Sequence, residues 1–114
     1  MSHTIDWPTF STSLTLGSNV TGSATATVFG NLVCIQMISI AGISSADTII
    51  CSIPDSLRPT AQFSAIRAVG LQTGGSWQEF NLVLVSQLGN SRIVAQGAPG
   101  SMNAGNYIFW YPLA

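Results

Sequence analysis

Hydrophobic and polar residues alternate along most of the chain, and helical spacing is nearly absent. No segment of ten or more residues repeats apolar residues at intervals of three and four, because Gly, Ser and Thr interrupt every candidate. Short runs rich in β-branched residues, bounded by Gly, Asn or Pro, recur instead. They predict about eight strands, at residues 9–16, 22–29, 31–41, 48–53, 62–70, 77–87, 91–97 and 106–111.

The connections between these runs indicate the topology. Gly30-Asn31 and Gly89-Asn90 each lie between two apolar runs and predict tight hairpins, since both residue types tolerate positive φ. The segment 53–59 contains Pro54 and Pro59, which lack a backbone donor, so it is expected to leave the sheet as an ordered crossover. We therefore expect an all-β, antiparallel Greek-key sandwich or jelly-roll-like barrel. Residues 9–114 would form this domain, after a lead-in of residues 1–8 cut from a longer protein.

Two predicted strands are apolar on both faces. In residues 32–40, one face carries Leu32, Cys34, Gln36, Ile38 and Ile40, and the other Val33, Ile35, Met37 and Ser39. Residues 80–85 show the same pattern. A sandwich strand has one inward face, so the outward face needs a cover. The expected cover is another copy of the chain, and loops of the same chain are the alternative.

Charged residues are scarce. The chain has three Arg, no Lys, four acidic residues and a net charge of −1, which argues against binding to nucleic acid or to an anionic membrane surface. The longest apolar stretch, residues 32–43, is much shorter than the roughly 20 residues that cross a bilayer, so no membrane insertion is expected.

Cys34 and Cys51 lack the spacing of a zinc site, and the chain has one histidine, His3. We therefore expect no metal site and no cofactor. Free, buried thiols are the first interpretation of the two cysteines, and a disulfide is the alternative.

From Val20 onward the order of segments resembles a known family. A Gly-rich entry leads to residues 23–29, the turn Gly30-Asn31, a strongly apolar strand, Ile53-Pro54 with Leu57-Arg58-Pro59, and an aromatic closing strand at residues 106–111. This order is similar to the C-terminal head domains of receptor-binding proteins from tailed phages of lactic-acid bacteria. The resemblance implies a homotrimer at the tail tip or baseplate of a virion, assembled in the host cytoplasm. It also implies contact with other tail or baseplate proteins and binding to host cell-wall polysaccharide or a glycan containing glycerol phosphate.

Saccharide binding needs a flat apolar surface beside planar polar groups. The best local cluster is Trp77-Gln78-Glu79, which follows the flexible pair Gly74-Gly75 and is therefore expected to be accessible. Core packing of Trp77 is the alternative. Arg67 lies in the preceding strand and Arg92 in the following one, so both guanidinium groups would reach Trp77 if the three strands are neighbours. For each arginine, a solvated surface position is the alternative.

Catalysis is not expected. Glycoside hydrolysis commonly needs two paired carboxylates, and Asp6, Asp47, Asp55 and Glu79 show no recognisable pairing. The sequence therefore favours a non-catalytic adhesion module. A trimerisation or capping domain of a tail fibre or baseplate, without receptor binding, is the alternative, and a free-standing lectin is a third possibility.

Overall fold

The structure, a computed structural model, describes residues 9–44, 47–59 and 63–113. These residues form eight strands and one short 3₁₀ helix, so the all-β prediction is confirmed, and each observed strand overlaps a predicted one. The predicted lead-in, residues 1–8, lies outside the described residues. The strands are β1 (Thr9–Ser13), β2 (Thr21–Phe29), β3 (Leu32–Ala41), β4 (Thr48–Ile53), β5 (Phe63–Gln72), β6 (Ser76–Val85), β7 (Ser91–Gln96) and β8 (Gly105–Pro112).

The strands form two four-stranded antiparallel sheets. Sheet A has the order β1-β2-β3-β8, and sheet B has the order β4-β7-β6-β5. In sheet B, three consecutive strands are joined by hairpins, and β4, joined to β5 by a long crossover, lies beside β7. That arrangement is a Greek key. Of the two predicted architectures, a Greek-key sandwich and a jelly-roll-like barrel, the two separate sheets and the strand order of sheet B correspond to the first.

The core lies between the inward faces of the two sheets. On β3 the inward side chains are Val33, Ile35 and Met37, and on β6 they are Phe80, Leu82 and Leu84, all almost fully buried. Strand β8 adds three aromatic side chains to the same cluster: Tyr107, Phe109 and Tyr111. Alternate residues of each strand thus supply one continuous core, as side-chain alternation in a strand requires.

The predicted face of Ile40 was wrong. A register shift between Met37 and Ile40 inserts an extra residue, Ser39, which has a φ of 53°. This bulge reverses the alternation, so Ile40 is fully buried while Ile38 is 43% exposed. The backbone N–H of Ser39 donates to Oδ1 of Asn106 at 2.7 Å, and Gly22 occupies the matching irregularity on β2.

Both sheets keep apolar side chains on their outer faces. Sheet A exposes Phe29, Leu32, Ile38, Ile108 and Trp110, each 36–51% accessible. Sheet B has a row across its centre formed by Ile49, Val94, Val83 and Ala65. Loops of the same chain, as far as the structure describes them, leave the outer side chains of sheet A exposed.

Both predicted hairpins are present, and the second has a longer connection than expected. Gly30-Asn31 forms the two-residue turn between β2 and β3, with a φ of 64° at Gly30. Gly89-Asn90 also lies in a hairpin, between the antiparallel strands β6 and β7, but β6 ends at Val85, two residues before the predicted end, so the connection is longer than expected. The connection is residues 86–90, and its β-turn places Gly89, with φ 78°, before Asn90, whose N–H donates to the carbonyl of Gln87.

The proline-containing segment leaves sheet B as predicted. After β4 it forms the 3₁₀ helix Asp55–Leu57, which is fixed at two points. Oδ1 of Asp55 accepts the N–H of Gly89 at 2.8 Å, and the carbonyl of Leu57 accepts the hydroxyl of Tyr111 at 2.8 Å. The crossover is therefore tied both to the β6–β7 loop and to the core.

The two cysteines are free, so the disulfide alternative does not apply. Cys34 faces outward from sheet A, between Thr27 and Trp110 on the neighbouring strands, while Cys51 lies in the core on sheet B. Burial raises the pKa of the Cys51 thiol to about 12, and it also raises the pKa of Cys34. Both thiols therefore stay protonated at neutral pH.

Candidate functional site

The candidate site lies on the outer face of sheet B, where β5 and β6 meet. Trp77, Glu79 and Asn81 alternate with core residues along β6 and so point outward together. Across the ladder they face Leu71, Val69 and Arg67 of β5. Trp77 is 71% exposed, so the core-packing alternative does not hold.

The β5–β6 loop exposes Trp77 and is held in place by a neighbouring segment. Gly74 and Gly75 have φ values of 103° and 97°, which side chains rarely adopt, and the N–H of Gly75 donates to the carbonyl of Gln72. The N–H of Thr73 donates to the carbonyl of Ser101 at 2.8 Å, and the Thr73 hydroxyl donates to Oδ1 of Asn103 at 3.0 Å. These bonds fix the loop against the chain that leads into β8.

Three polar side chains beside Trp77 orient one another. Arg67 donates to Oε2 of Glu79 and to Oδ1 of Asn81, each at 3.1 Å. Because Arg67 and Glu79 are 59% and 63% exposed, this ion pair adds little to stability, about 1 kcal/mol at most. Its consequence is geometric, since it holds a carboxylate, a guanidinium and an amide in one row beside an aromatic ring.

Gln78 lies on the opposite side of β6 from Trp77 and Glu79. Its register partner is Gly70, it is half-buried, and its Nε2 donates to Oε1 of Gln72 at 3.3 Å. Residues adjacent in a strand point to opposite faces, so the sequence cluster Trp77-Gln78-Glu79 does not form one surface. The structure brings Trp77 together with Glu79 and Arg67 instead.

Arg92 is also separated from Trp77, although β5, β6 and β7 are neighbours as the prediction required. Arg92 pairs with Val85, eight residues beyond Trp77 on β6, which corresponds to about 26 Å along the strand. Its Nη1 donates to the carbonyl of Asn90 at 2.8 Å and to Oε1 of Gln87 at 3.3 Å. Arg92 thus lies at the far end of the same face.

Two shallow grooves lie on this face between Asn81 and Arg92. The larger, of about 610 Å³, begins at Asn81 and is lined by Ala65, Asn81, Val83, Val85, Ser86, Gln87 and Gln96. The smaller, of about 310 Å³, shares three of these side chains and reaches the far end, lined by Asp47, Ile49, Val83, Val85, Arg92, Val94 and Gln96. Together with the Trp77 row they form a continuous strip along sheet B, with an apolar floor and polar groups beside it.

The amides of this strip were missed by the sequence reasoning. Asn81 and Gln96 are register partners on β6 and β7, and Gln87 lies in the loop that joins these strands. Single polar residues in apolar strands were visible in the sequence, but their convergence depends on the register between strands. The cluster predicted around Trp77 therefore marks one end of the strip, and the residues along the rest of the strip were not predicted.

The aromatic residues of β8 divide between the core and the other sheet face. Phe109 and Tyr111 are buried, whereas Trp110 is 50% exposed on the outer face of sheet A. Its ring lies 5.9 Å from that of Phe29, between centroids. Trp110 is thus on the opposite side of the sandwich from Trp77.

No protein-family model matches the sequence, and no curated protein matches it significantly. Within the described residues, no group of three or more His, Cys, Asp or Glu side chains is placed to hold a metal ion. The same part of the chain contains no helix long and apolar enough to cross a membrane.

Proposed function

We propose that this chain is the head domain of a bacteriophage receptor-binding protein, which binds host cell-wall saccharide without catalysis. The observation that carries the proposal is the exposed Trp77 ring beside the oriented groups of Arg67, Glu79 and Asn81. The indole face suits the C–H side of a sugar ring, and the neighbouring polar groups suit its hydroxyls. Polysaccharide or a glycan containing glycerol phosphate is the proposed receptor.

The strip along sheet B supports an extended ligand. From Trp77 to Val85 it runs about 26 Å, which exceeds the size of a single sugar ring. Its grooves are shallow, with Val83 and Val85 as an apolar floor and the amides of Gln87 and Gln96 as hydrogen-bonding groups. An oligosaccharide lying along the sheet would use all of these groups.

Shallow sites bind weakly, so the proposal includes several copies acting together. We place the domain as a homotrimer at the tail tip or baseplate of a virion, attached to other tail proteins. Single sites would bind in the millimolar to micromolar range. Simultaneous binding by linked sites can exceed single-site affinity by about 10²–10⁴, which would hold a particle on a polysaccharide-coated cell.

A second candidate is a trimerisation or capping domain that binds no receptor. The exposed apolar face of sheet A, with Trp110 and Ile108 about half accessible, favours it, because such a face is typical of protein contacts. The two candidates differ in one measurable property, since only the first requires the isolated domain to bind cells.

The decisive test is staining of lactic-acid bacteria, and of their purified wall polysaccharide, with fluorescently labelled protein. Trp77→Ala should weaken binding at least tenfold, since loss of about 1.4 kcal/mol of ring contact corresponds to that factor. Phe10→Ala is the matched control, because Phe10 is an exposed aromatic residue, 52% accessible, but lies on β1 of the other sheet. Equal binding by Trp77→Ala and the parent protein would remove Trp77 from the site, and no staining by the parent would favour the capping domain.

A further inference from the structure

Within residues 9–44, 47–59 and 63–113, the charged side chains lie on sheet B or in segments attached to its strands. None of the four strands of sheet A contains an Asp, Glu, Arg or Lys. The charged residues within the described ranges all lie on the strands of sheet B or in the segments directly attached to them: Asp47, Asp55, Arg58, Arg67, Glu79 and Arg92. The two outer faces of the sandwich therefore differ in chemistry.

The outer face of sheet A combines this lack of charge with large apolar side chains. Phe29, Leu32 and Trp110 line an open groove of about 350 Å³ together with Asn31. Ile38, Ile108 and Pro112 are further apolar residues on this face, and its other described outward positions carry hydroxyl or amide side chains or Cys34. Interface cores are depleted of charge and enriched in aromatic residues, which is the composition of this face.

The edge strands of sheet A carry no charged side chain. Exposed edge strands commonly carry charged residues, especially Lys, which prevent such pairing. The edge strands of sheet A, β1 and β8, contain no charge, and the single proline of β8 is at its last position, Pro112. An edge without charge beside an apolar face is expected where an assembly covers both.

We infer that the outer face of sheet A packs against other copies of this chain, which leaves the Trp77 strip of sheet B facing outward. A charged partner would find no opposite charge on this face, whereas a second copy brings a surface that is equally neutral and apolar. Two such surfaces meet without repulsion and without burying an unpaired charge. The inference rests on the proposed function only for the number of copies. The homotrimer proposed above did not specify which face of the domain joins the copies.

The test compares single charges placed on the two faces of the full chain. Ile108→Lys on β8 and Ile38→Lys on β3 place a charge on sheet A, and Val69→Lys on β5 is the matched control on sheet B. All three positions are 43–54% exposed in the single chain, so the folded protomer should tolerate each change. Circular dichroism and thermal melting check that the variants fold.

Light scattering across a concentration series gives the mass of each protein. We expect the parent and Val69→Lys to be oligomers, while each sheet A variant raises the concentration for half-assembly at least 100-fold. A monomeric parent at 100 μM overturns the inference, as does dissociation by Val69→Lys with Ile108→Lys unaffected. If the parent is a monomer and Ile108→Lys abolishes cell staining, sheet A would be the face that binds the receptor. That result would also overturn the inference.

The same data separate this inference from the proposed function. A parent mass of two copies supports the sheet A interface but contradicts the homotrimer. Conversely, normal cell staining by Trp77→Ala contradicts the proposed saccharide site, and the mass measurements on Ile108→Lys still decide the interface independently.

Discussion

The hydroxyls of two tyrosines on β8 have opposite environments. Tyr111 donates its hydroxyl to the carbonyl of Leu57 at 2.8 Å. The hydroxyl of Tyr107 is buried and has no hydrogen-bond partner within the described residues. It lies close to Gly70, where an added Cβ would be 2.9 Å from it. Replacing each tyrosine by phenylalanine removes one oxygen atom and should change stability in opposite directions.

Tyr107→Phe should stabilise the protein by about 1 kcal/mol. A buried hydroxyl without a hydrogen bond costs about 1–3 kcal/mol relative to water, and the variant removes that cost while the ring stays in place. The T-shaped contact with Phe80, at 5.5 Å between centroids, is kept. Tyr111→Phe should destabilise by about 1–2 kcal/mol, because it removes a donor and leaves the carbonyl of Leu57 without it.

The two variants and the parent are compared by urea denaturation at pH 7 and at one protein concentration, since assembly would make the midpoint depend on concentration. We expect the midpoint order Tyr107→Phe, parent, Tyr111→Phe, with melting temperatures separated by about 4 °C or more per kcal/mol. Equal losses for both variants would refute the reasoning, because they would show that the Tyr107 hydroxyl makes a bond in the folded protein.

Two further predictions concern alkaline stability and the β2–β3 bulge. Burial raises the pKa of Cys51 to about 12 and raises the pKa of Tyr111 above its ordinary value. The folded state therefore favours the protonated forms of both groups. The free energy of unfolding should be unchanged below about pH 9 and fall as the pH rises towards 12. Thermal melts from pH 7 to 11 measure this, and a Cys51→Ala variant should lose less stability between pH 9 and 11 than the parent. Gly22→Ala should lower the free energy of unfolding by well over 1 kcal/mol, because the added Cβ would be 2.5 Å from the carbonyl oxygen of Ser39 at a φ of 118°. Gly30→Ala is the matched control. It has a φ of 64° and open space around the Cβ, so it should lower the free energy of unfolding by about 1 kcal/mol. Denaturation midpoints with Gly30→Ala equal to or below Gly22→Ala would contradict the steric argument.

The sequence by itself determined which segments are strands. Period-two alternation and β-branched residues are local properties, and Gly, Asn and Pro at the boundaries act through the φ of single residues. This is why β3, β6 and the crossover after Ile53 were predicted within a few residues. For Trp77 the sequence left both exposure and core packing open, and the neighbouring Gly74-Gly75 pair, which marks a turn, was the argument for exposure.

The tertiary structure decided which residues meet. Sequence neighbours such as Trp77 and Gln78 point to opposite faces, while Asn81 and Gln96, fifteen residues apart, are cross-strand partners. Arg92 joins the face of Trp77 but at its far end, because register fixes position along a strand and no local pattern encodes it. The one-residue bulge at Ser39 likewise reversed the face of Ile40. The strip on sheet B therefore depends on the register between strands, which is set by pairing along their whole length and cannot be predicted from single segments.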